Sequence, residues 1–168
     1  MSILTKKEIL KCIKNGKIKI THYNANNVGP GSIDLSLADI FRVFKKSNKI
    51  YDADKTDYKD ITKRIKSGSI VLNPGETILG ITKEKITLSE DLCGWLEGRT
   101  RFARLGLMIH ISASFMQPGI SNQQVLEISN MGHVPYRLKE GTKICQFVFQ
   151  QTKGKAKYVG SFKNQTEP

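Results

Sequence analysis

Polar and apolar residues alternate along several stretches of this chain, a pattern typical of a β-strand with one buried face. The alternation is plain in Lys17-Ile18-Lys19-Ile20-Thr21 and in Ile33-Asp34-Leu35-Ser36-Leu37. The predicted strands and extended segments are residues 17–21, 33–37, 40–44, 58–61, 70–72, 77–79, 109–112, 124–129, 136–138 and 144–150. Short strands separated by turn residues such as Asn73-Pro74-Gly75-Glu76 predict an all-β sandwich or barrel.

One helix is predicted near the amino-terminal end of the sequence. Thr5-Lys6-Lys7-Glu8 has the form of a capping box, in which the Thr5 hydroxyl accepts from a free backbone N–H and Glu8 reaches back. An apolar face follows at helical spacing, and Asn15-Gly16 supplies a left-handed stop. We expect this helix to dock on the body of the fold.

Two polar segments complete the organisation of the chain. Residues 45–68 are rich in Lys and Asp and are interpreted as a long surface excursion. From about residue 153 the sequence is basic and weakly patterned, which predicts a mobile C-terminal tail over 153–168. Because 168 residues leave no room for two full cores, residues 1–168 are interpreted as one domain.

The charge balance narrows the class of partner. The chain has 27 Lys and Arg against 15 Asp and Glu, which gives a net charge of +12. Such an excess indicates an anionic partner: nucleic acid, a membrane surface or a small polyanion such as a nucleoside triphosphate. No run of about 18 apolar residues is present, so we expect no membrane span.

The cysteines indicate a compartment. Cys12, Cys93 and Cys145 are widely spaced and form no C-x-x-C motif, so we expect neither a zinc ribbon nor a thioredoxin-type site. Residues 1–8 also lack the apolar stretch of a secretory signal. We therefore expect reduced, buried thiols in a cytoplasmic protein.

An arginine block carries the strongest chemical signal. Residues 94–107 begin as a strand and turn into a short helix that Thr100 could cap. Arg101 and Arg104 are three positions apart and lie on one side of that helix. Guanidinium groups bind phosphate oxygens by two-pronged hydrogen bonds, and the first N–H groups of a helix point outward. The spacing favours an anion site over a solvated basic turn.

The segment from Gly94 to His110 resembles the nucleotide-binding signature of the dCTP deaminases, which share a fold with the trimeric dUTP diphosphatases. Three further blocks resemble the other family motifs in order: Gly31-Ser32-Ile33-Asp34-Leu35, Pro118-Gly119 followed by Val125-Leu126-Glu127-Ile128-Ser129-Asn130, and Gly141-Thr142-Lys143-Ile144-Cys145-Gln146. The resemblance covers residues 1 to about 150. It implies a mainly β, distorted jelly-roll or β-barrel fold of the dUTPase-like type, with an N-terminal helix and a short helix after the arginine block.

The resemblance also implies a homotrimer with composite sites between subunits, which bind dCTP or dUTP and no membrane. Nucleic acid is an unlikely partner, because no interleaved aromatic platform is evident. Magnesium would accompany the triphosphate without protein side-chain ligands, and no zinc is expected. The implied substrate-binding residues are Arg99, Thr100, Arg101, Phe102, Ala103, Arg104, Ala113, Gln117, Val125, Leu126, Glu127, Gln146 and the tail residue Lys157.

The reaction implied is hydrolytic deamination of dCTP to dUTP and ammonia. Zinc deaminases use an H-x-E motif, and none of the three histidines begins one. A single carboxylate can instead act as base and then acid, and Glu127 is the candidate. Nearby apolar walls would tend to raise its pKa, and Arg104 would oppose this. In a strand, Val125 and Glu127 share one face, opposite Leu126. Thr100 would hold the water or the ring carbonyl, and Arg104 would stabilise developing charge.

Several departures keep other activities open. The second reading is dUTP diphosphatase activity, alone or in a bifunctional enzyme forming dUMP. Gln117 argues against it, because this residue stands where diphosphatases carry the Asp that activates water. Thr100, Phe115 and Ser161 also differ from residues usual in deaminases. A non-catalytic basic module that binds nucleic acid or acts as a regulator is the third reading. His110 and His133 are interpreted as structural.

Overall fold

A computed structural model describes residues 2–168. The three helices are α1 (Lys6–Lys14), α2 (Tyr58–Ile61) and α3 (Thr100–Ala103). The strands are β1 (Ile18–Ile20), β2 (Ser32–Ser36), β3 (Ile40–Phe44), β4 (Thr62–Lys66), β5 (Ser69–Leu72), β6 (Thr77–Leu88), β7 (Leu92–Gly98), β8 (Leu107–Met108), β9 (Phe115–Met116), β10 (Ser121–Asn130), β11 (Tyr136–Lys139) and β12 (Lys143–Gln151). The chain is therefore mainly β, as the alternation predicts.

Two open antiparallel sheets build the body of the protein. One runs β4-β3-β6-β10-β8 with β1 also paired to β6, and the other runs β2-β12-β7-β9. β11 and β5 form a separate two-stranded sheet. The core lies between the large sheets, where fully buried Phe41 and Ile128 meet Leu35 and Phe147. Burial of such side chains stabilises the fold by about 1.5–3 kcal/mol each.

The local structure differs from prediction at the start of α1. The Thr5 side chain makes no capping hydrogen bond. Its backbone carbonyl accepts from Ile9, and the Lys6 N–H donates to the Pro30 carbonyl instead. A long-range backbone partner therefore satisfies one of the free N–H groups of the first turn, although it is not one of the two that a capping box engages.

Two predicted strands are absent from the described part of the chain. Residues 58–61 form α2, because the Asp57 carboxylate accepts from the Lys59 N–H and caps a single turn. The strand of this region is β4, directly after that turn. Residues 109–112 are also irregular, and the N–H of Ile111 points to the Glu127 carboxylate rather than to a strand.

The tail lies against the body of the protein. Backbone N–H groups of Ser121 and Gln123 donate to carbonyls of Lys163 and Gln165, at 3.1 and 2.9 Å. These donors are free because β8 pairs only with the far end of β10. The mobility of the tail stays a prediction. The composition of the tail did not indicate that its backbone carbonyls would accept hydrogen bonds from the edge of β10.

Two other expectations concern the state of the cysteines and the absence of a membrane-spanning segment. All three cysteines are free thiols, with Cys93 and Cys145 buried and Cys12 partly exposed. Burial raises the pKa of the Cys145 thiol, so this group stays protonated. Within residues 2–168, no helix has the length and apolar character needed to cross a membrane.

Candidate active site

Glu127 owes its position to the alternation along β10. Leu126 and Ile128 are fully buried in the core, whereas Val125 and Glu127 are half-buried on the opposite face. β6 pairs with the strand in register, so that Glu127 lies opposite Leu79. The expected division of faces is confirmed. Since the Leu126 side chain packs in the core, any contact of that residue with a ligand would be made by its backbone.

A cavity of about 460 Å³ opens beside Glu127. Four predicted site residues line it: Ala113, Gln117, Val125 and Glu127. The remaining wall includes residues that the sequence did not single out as ligand contacts, namely Tyr58, His110, Phe115, Tyr158 and Phe162. An apolar, aromatic cavity with a few polar groups is the usual setting for a small organic ligand.

His110 is the nearest ionisable neighbour of Glu127. Its Nδ1 lies 2.5 Å from the Glu127 Oε2, and its side chain is only 6% exposed, against 30% for Glu127. The two atoms are close enough for an ion pair, but the angles at the contact do not meet those of a hydrogen bond. The structural interpretation of His110 therefore missed a charged partner of the candidate base.

The two groups shift each other's pKa. Burial raises the pKa of the Glu127 carboxyl, but the adjacent His110 outweighs it, and the pKa ends below its usual value. Burial likewise lowers the pKa of His110, but Glu127 outweighs it and raises that pKa. Each group therefore favours the charged form of the other. Burial does act to raise the pKa of Glu127, as expected from the apolar walls, but the net shift is downward, because the sequence did not place His110 beside it.

The backbone between β8 and β9 completes the surroundings of this pair. The Ile111 N–H donates to Glu127 Oε2 across 3.4 Å, a long hydrogen bond. A backbone contact with Ala113 also raises the pKa of His110. The irregular segment after Ile109 thus supplies the imidazole, a backbone donor and part of the cavity wall.

The arginine block lies on the one-turn helix α3, outside the cavity of its own chain. Thr100 is the first helical residue and makes no cap, because Arg99 occupies the capping position. The predicted capping role of Thr100 is therefore wrong. Thr100, Arg101 and Arg104 are exposed, as is Ala103, while Phe102 packs against the core.

Arg99 is the exception in the block, because it has partners within the chain. Its Nε lies 3.4 Å from Asp34 Oδ1, and its Nη1 donates to the Lys143 carbonyl at 3.1 Å. Gln146 lies opposite Asp34 on the neighbouring strand and accepts from the Ser32 hydroxyl at 3.0 Å. Arg99 and Gln146 thus form a second group of predicted residues, separate from the Glu127 cavity.

Lys157 belongs to neither group. Its Nζ lies 3.9 Å from Glu90 Oε1, and its stem packs over Gly119. Gly119 has φ +72°, a left-handed conformation that favours glycine. Within one chain, the tail lysine is therefore close to the turn before β10 and is not among the residues that line the cavity.

Similar folds occur among solved structures. 2′-Deoxycytidine 5′-triphosphate deaminase from Agrobacterium tumefaciens superposes with a TM-score of 0.71 at 20% identity, covering 89% of this chain and 48% of that chain. The dUTPase of Staphylococcus bacteriophage 80alpha superposes with a TM-score of 0.52 at 14% identity, covering 86% and 97%. The fold therefore places the chain in the dUTPase-like class of β proteins, as the resemblance implies.

Sequence comparison gives the family. Residues 3–152 match the model of the family described as dCTP deaminase-like, and the chain belongs to that family. A dCTP deaminase, dUMP-forming, of Nocardioides sp. is 33% identical over 176 residues, covering 99% of this chain and 92% of the relative. A dCTP deaminase of Marinomonas sp. is 37% identical over 165 residues, covering 91% and 85%.

Proposed function

We propose that this protein deaminates dCTP hydrolytically, giving dUTP and ammonia, with Glu127 as the catalytic base and acid. The observation that carries the proposal is the ionised Glu127 carboxylate on the wall of a 460 Å³ cavity, held beside buried His110. Membership of the dCTP deaminase-like family supports the choice of substrate.

The carboxylate supplies the proton transfers that deamination requires. Glu127 accepts a proton from water as the water oxygen bonds to the ring carbon that bears the amino group. The same proton then passes from the Glu127 carboxyl to the amine, and the carbon–nitrogen bond breaks to release ammonia. The lowered pKa keeps Glu127 ionised and able to accept a proton at neutral pH, and it also makes the carboxylate a weaker base.

The phosphates need cations that the cavity of one chain does not contain. We place them on the exposed Arg101 and Arg104 of a second copy in a homotrimer, with Thr100 of that copy near the water. Arg104 would then stabilise charge as it develops on the ring. The exposure of the block and its place outside the cavity of its own chain support this composite arrangement.

Magnesium would be held by the triphosphate. Mg²⁺ prefers oxygen ligands and keeps several waters, so phosphate oxygens can hold it without a protein cage. Among residues 2–168 no group of three or more His, Cys, Asp and Glu has the arrangement of a metal site. The dUTPase of a Staphylococcus phage, phi11, coordinates a structural Mg(II) ion. We propose that the deamination itself is zinc-independent.

A second candidate function is the formation of dUMP from dCTP. It is favoured by relatives that carry the name dCTP deaminase, dUMP-forming, such as that of Methanobrevibacter smithii, 35% identical over 157 residues. Loss of pyrophosphate needs a base for the water that attacks phosphorus. Gln117, which lines the cavity, has no ionisable group to serve as that base, so we favour dUTP as the product.

A product assay tests both candidates. The protein is incubated with Mg²⁺ and either dCTP or dUTP, and the products are separated. We expect dUTP and ammonia from dCTP and no change of dUTP. dUMP and pyrophosphate from dCTP would establish the bifunctional reaction. No turnover, together with DNA binding that weakens steeply with salt, would favour the basic binding module instead.

A further inference from the structure

Two arginines lie directly opposite each other on neighbouring strands. Arg42 of β3 and Arg64 of β4 are partners in the antiparallel register. Like charges at opposed positions of such a pair repel each other. Neither strand contains an acidic residue, so the compensating anion must come from another part of the chain.

The tail supplies that compensation. Arg64 Nη2 lies 3.0 Å from Glu167 Oε1, and Arg42 Nε donates to the Pro168 backbone carbonyl at 2.8 Å. Arg42 is itself fixed, because its Nη1 donates to the Thr62 hydroxyl and its guanidinium lies 5.5 Å from the centre of the Tyr58 ring. The two arginines thus present a positioned pair of cations to the tail.

The tail held in this way forms a wall between two spaces. Phe162, Gln165 and Pro168 line the Glu127 cavity on one side. The same three residues line a polar groove on the other side, which also contains Arg42 and Lys59. The position of the tail therefore decides whether the cavity is closed on this side.

Hydrogen bonds along the edge of β10 depend on the position of the tail. Two β10 amides, of Ser121 and Gln123, donate to tail carbonyls, and the Asn122 side chain donates to the Phe162 carbonyl at 2.9 Å. Release of the tail exposes the two amides to solvent, although both residues lie far in sequence from the arginines.

We propose that Arg42 and Arg64 form an anion site that holds the tail closed over the Glu127 cavity. The chain's own Glu167 and Pro168 occupy this site, and a free oxyanion such as inorganic phosphate competes with them. Guanidinium groups hold oxyanions by two-pronged hydrogen bonds, so a doubly charged phosphate displaces a single carboxylate more readily than chloride does. This latch goes beyond the proposed deaminase activity and does not depend on it.

Hydrogen exchange of the full chain tests the latch. We expect Glu167→Lys and Arg64→Glu each to accelerate exchange of the Ser121 and Gln123 amides by about threefold to tenfold, since each loses one ion pair and gains repulsion. The double variant Arg64→Glu with Glu167→Lys restores the pair and the slow exchange. Asp52→Lys is the matched control, because it makes the same charge change at an exposed pair with Lys55 outside the latch.

The outcomes separate the two parts of the proposal. Equal exchange in Glu167→Lys and Asp52→Lys would overturn the latch, and so would failure of the double variant to restore protection. For the native chain we also expect phosphate to speed exchange more than chloride at matched ionic strength. Equal effects of the two salts would overturn the anion site. No arm of the experiment requires nucleotide turnover.

Discussion

Glu127 and His110 determine the chemistry of the site as a pair. Burial alone would disfavour the charged form of each group, because desolvation penalises charge. At 2.5 Å the charged form of each group stabilises the charged form of the other, in a cavity of aromatic walls. The His110 side chain thus favours the ionised form of Glu127, the form that can accept a proton.

Replacing Glu127 with Gln tests the base. We expect turnover of dCTP to fall by about 10²- to 10⁴-fold, because the amide cannot accept the proton of the attacking water. Binding should persist, since the amide keeps the shape of the carboxyl. Ammonia release measures turnover, and the shift in melting temperature with dCTP measures binding. Retained turnover would exclude Glu127 as the base.

The pH profile tests the lowered pKa. Glu127 should remain an active base at pH values below 4.5, the usual carboxyl value, so the acidic limb of kcat/KM should lie below pH 4.5. In His110→Gln the lowering of the Glu127 pKa by His110 is lost, so the limb should move to higher pH. The measurement is kcat/KM against pH for both proteins. An acidic limb near neutral pH in the native protein would contradict the ion pair.

Stability should depend on pH through the same pair. The raised pKa of His110 contributes stability that is complete below its usual 6.5 and is lost as pH rises through the raised value. The lowered pKa of Glu127 contributes stability above 4.5 that is lost as pH falls through the lowered value. We expect His110→Gln to lose about 1–3 kcal/mol of unfolding free energy between these limits, and less on either side. Urea unfolding across pH measures the difference, and a constant difference would refute the assignment.

At the scale of the elements, β10 links the core to the site. Its alternation buries Leu126 and Ile128 and directs Glu127 to the cavity, while β6 covers one edge and the tail covers part of the other. A slip of one residue in this register would turn Glu127 into the core and Leu126 into the cavity. The long pairing with β6 therefore fixes the direction of the Glu127 side chain as well as the fold.

A glycine in β7 allows the second sheet to pack closely. A Cβ at Gly94 would clash with the Phe147 ring and with the Val148 backbone carbonyl. Since one of these atoms is backbone, we expect Gly94→Ala to destabilise the protein by about 1–3 kcal/mol. Gly68→Ala is the control, because nothing lies within 4 Å of its added Cβ. Equal melting temperatures for the two variants would show that the β7–β12 contact has room to relax.

At the scale of the whole molecule, the predicted site residues fall into separate groups. Glu127, Val125, Gln117 and Ala113 share one cavity, whereas the exposed arginines lie on α3 outside it. A triphosphate bound at the cavity needs cations within reach, and the net charge of +12 is otherwise spread mainly over surface lysines. A second copy of the chain is the simplest source of those cations.

Mixing inactive variants tests this composite site. We expect Arg104→Ala to lose about 10²- to 10³-fold in kcat, because charge developing on the ring is no longer stabilised. If sites form between copies, mixed subunits of Arg104→Ala and Glu127→Gln should regain deaminase activity. Each variant alone is the control, and sedimentation gives the number of subunits. A mixture as inactive as its components would place the whole site within one chain.

The sequence predicted the strands well where one face is buried, as at β2, β10 and β12, because alternation records burial directly. It failed at residues 58–61 and 109–112, where a capped turn and a side-chain partner decide the backbone. The capping roles of Thr5 and Thr100 failed for a similar reason. The Lys6 N–H of the first turn donates to the distant Pro30 carbonyl, and Arg99 takes the capping position before Thr100. Local spacing reveals neither.

What the sequence determined by itself is the family, the mainly β fold and the direction in which Glu127 faces. These follow from residue order and period-two burial, which act along the chain. Tertiary structure alone decided that His110 lies beside Glu127 and lowers its pKa, and that the tail meets Arg42 and Arg64. These contacts join residues far apart in sequence, and electrostatic energy depends on the distance between charges in space.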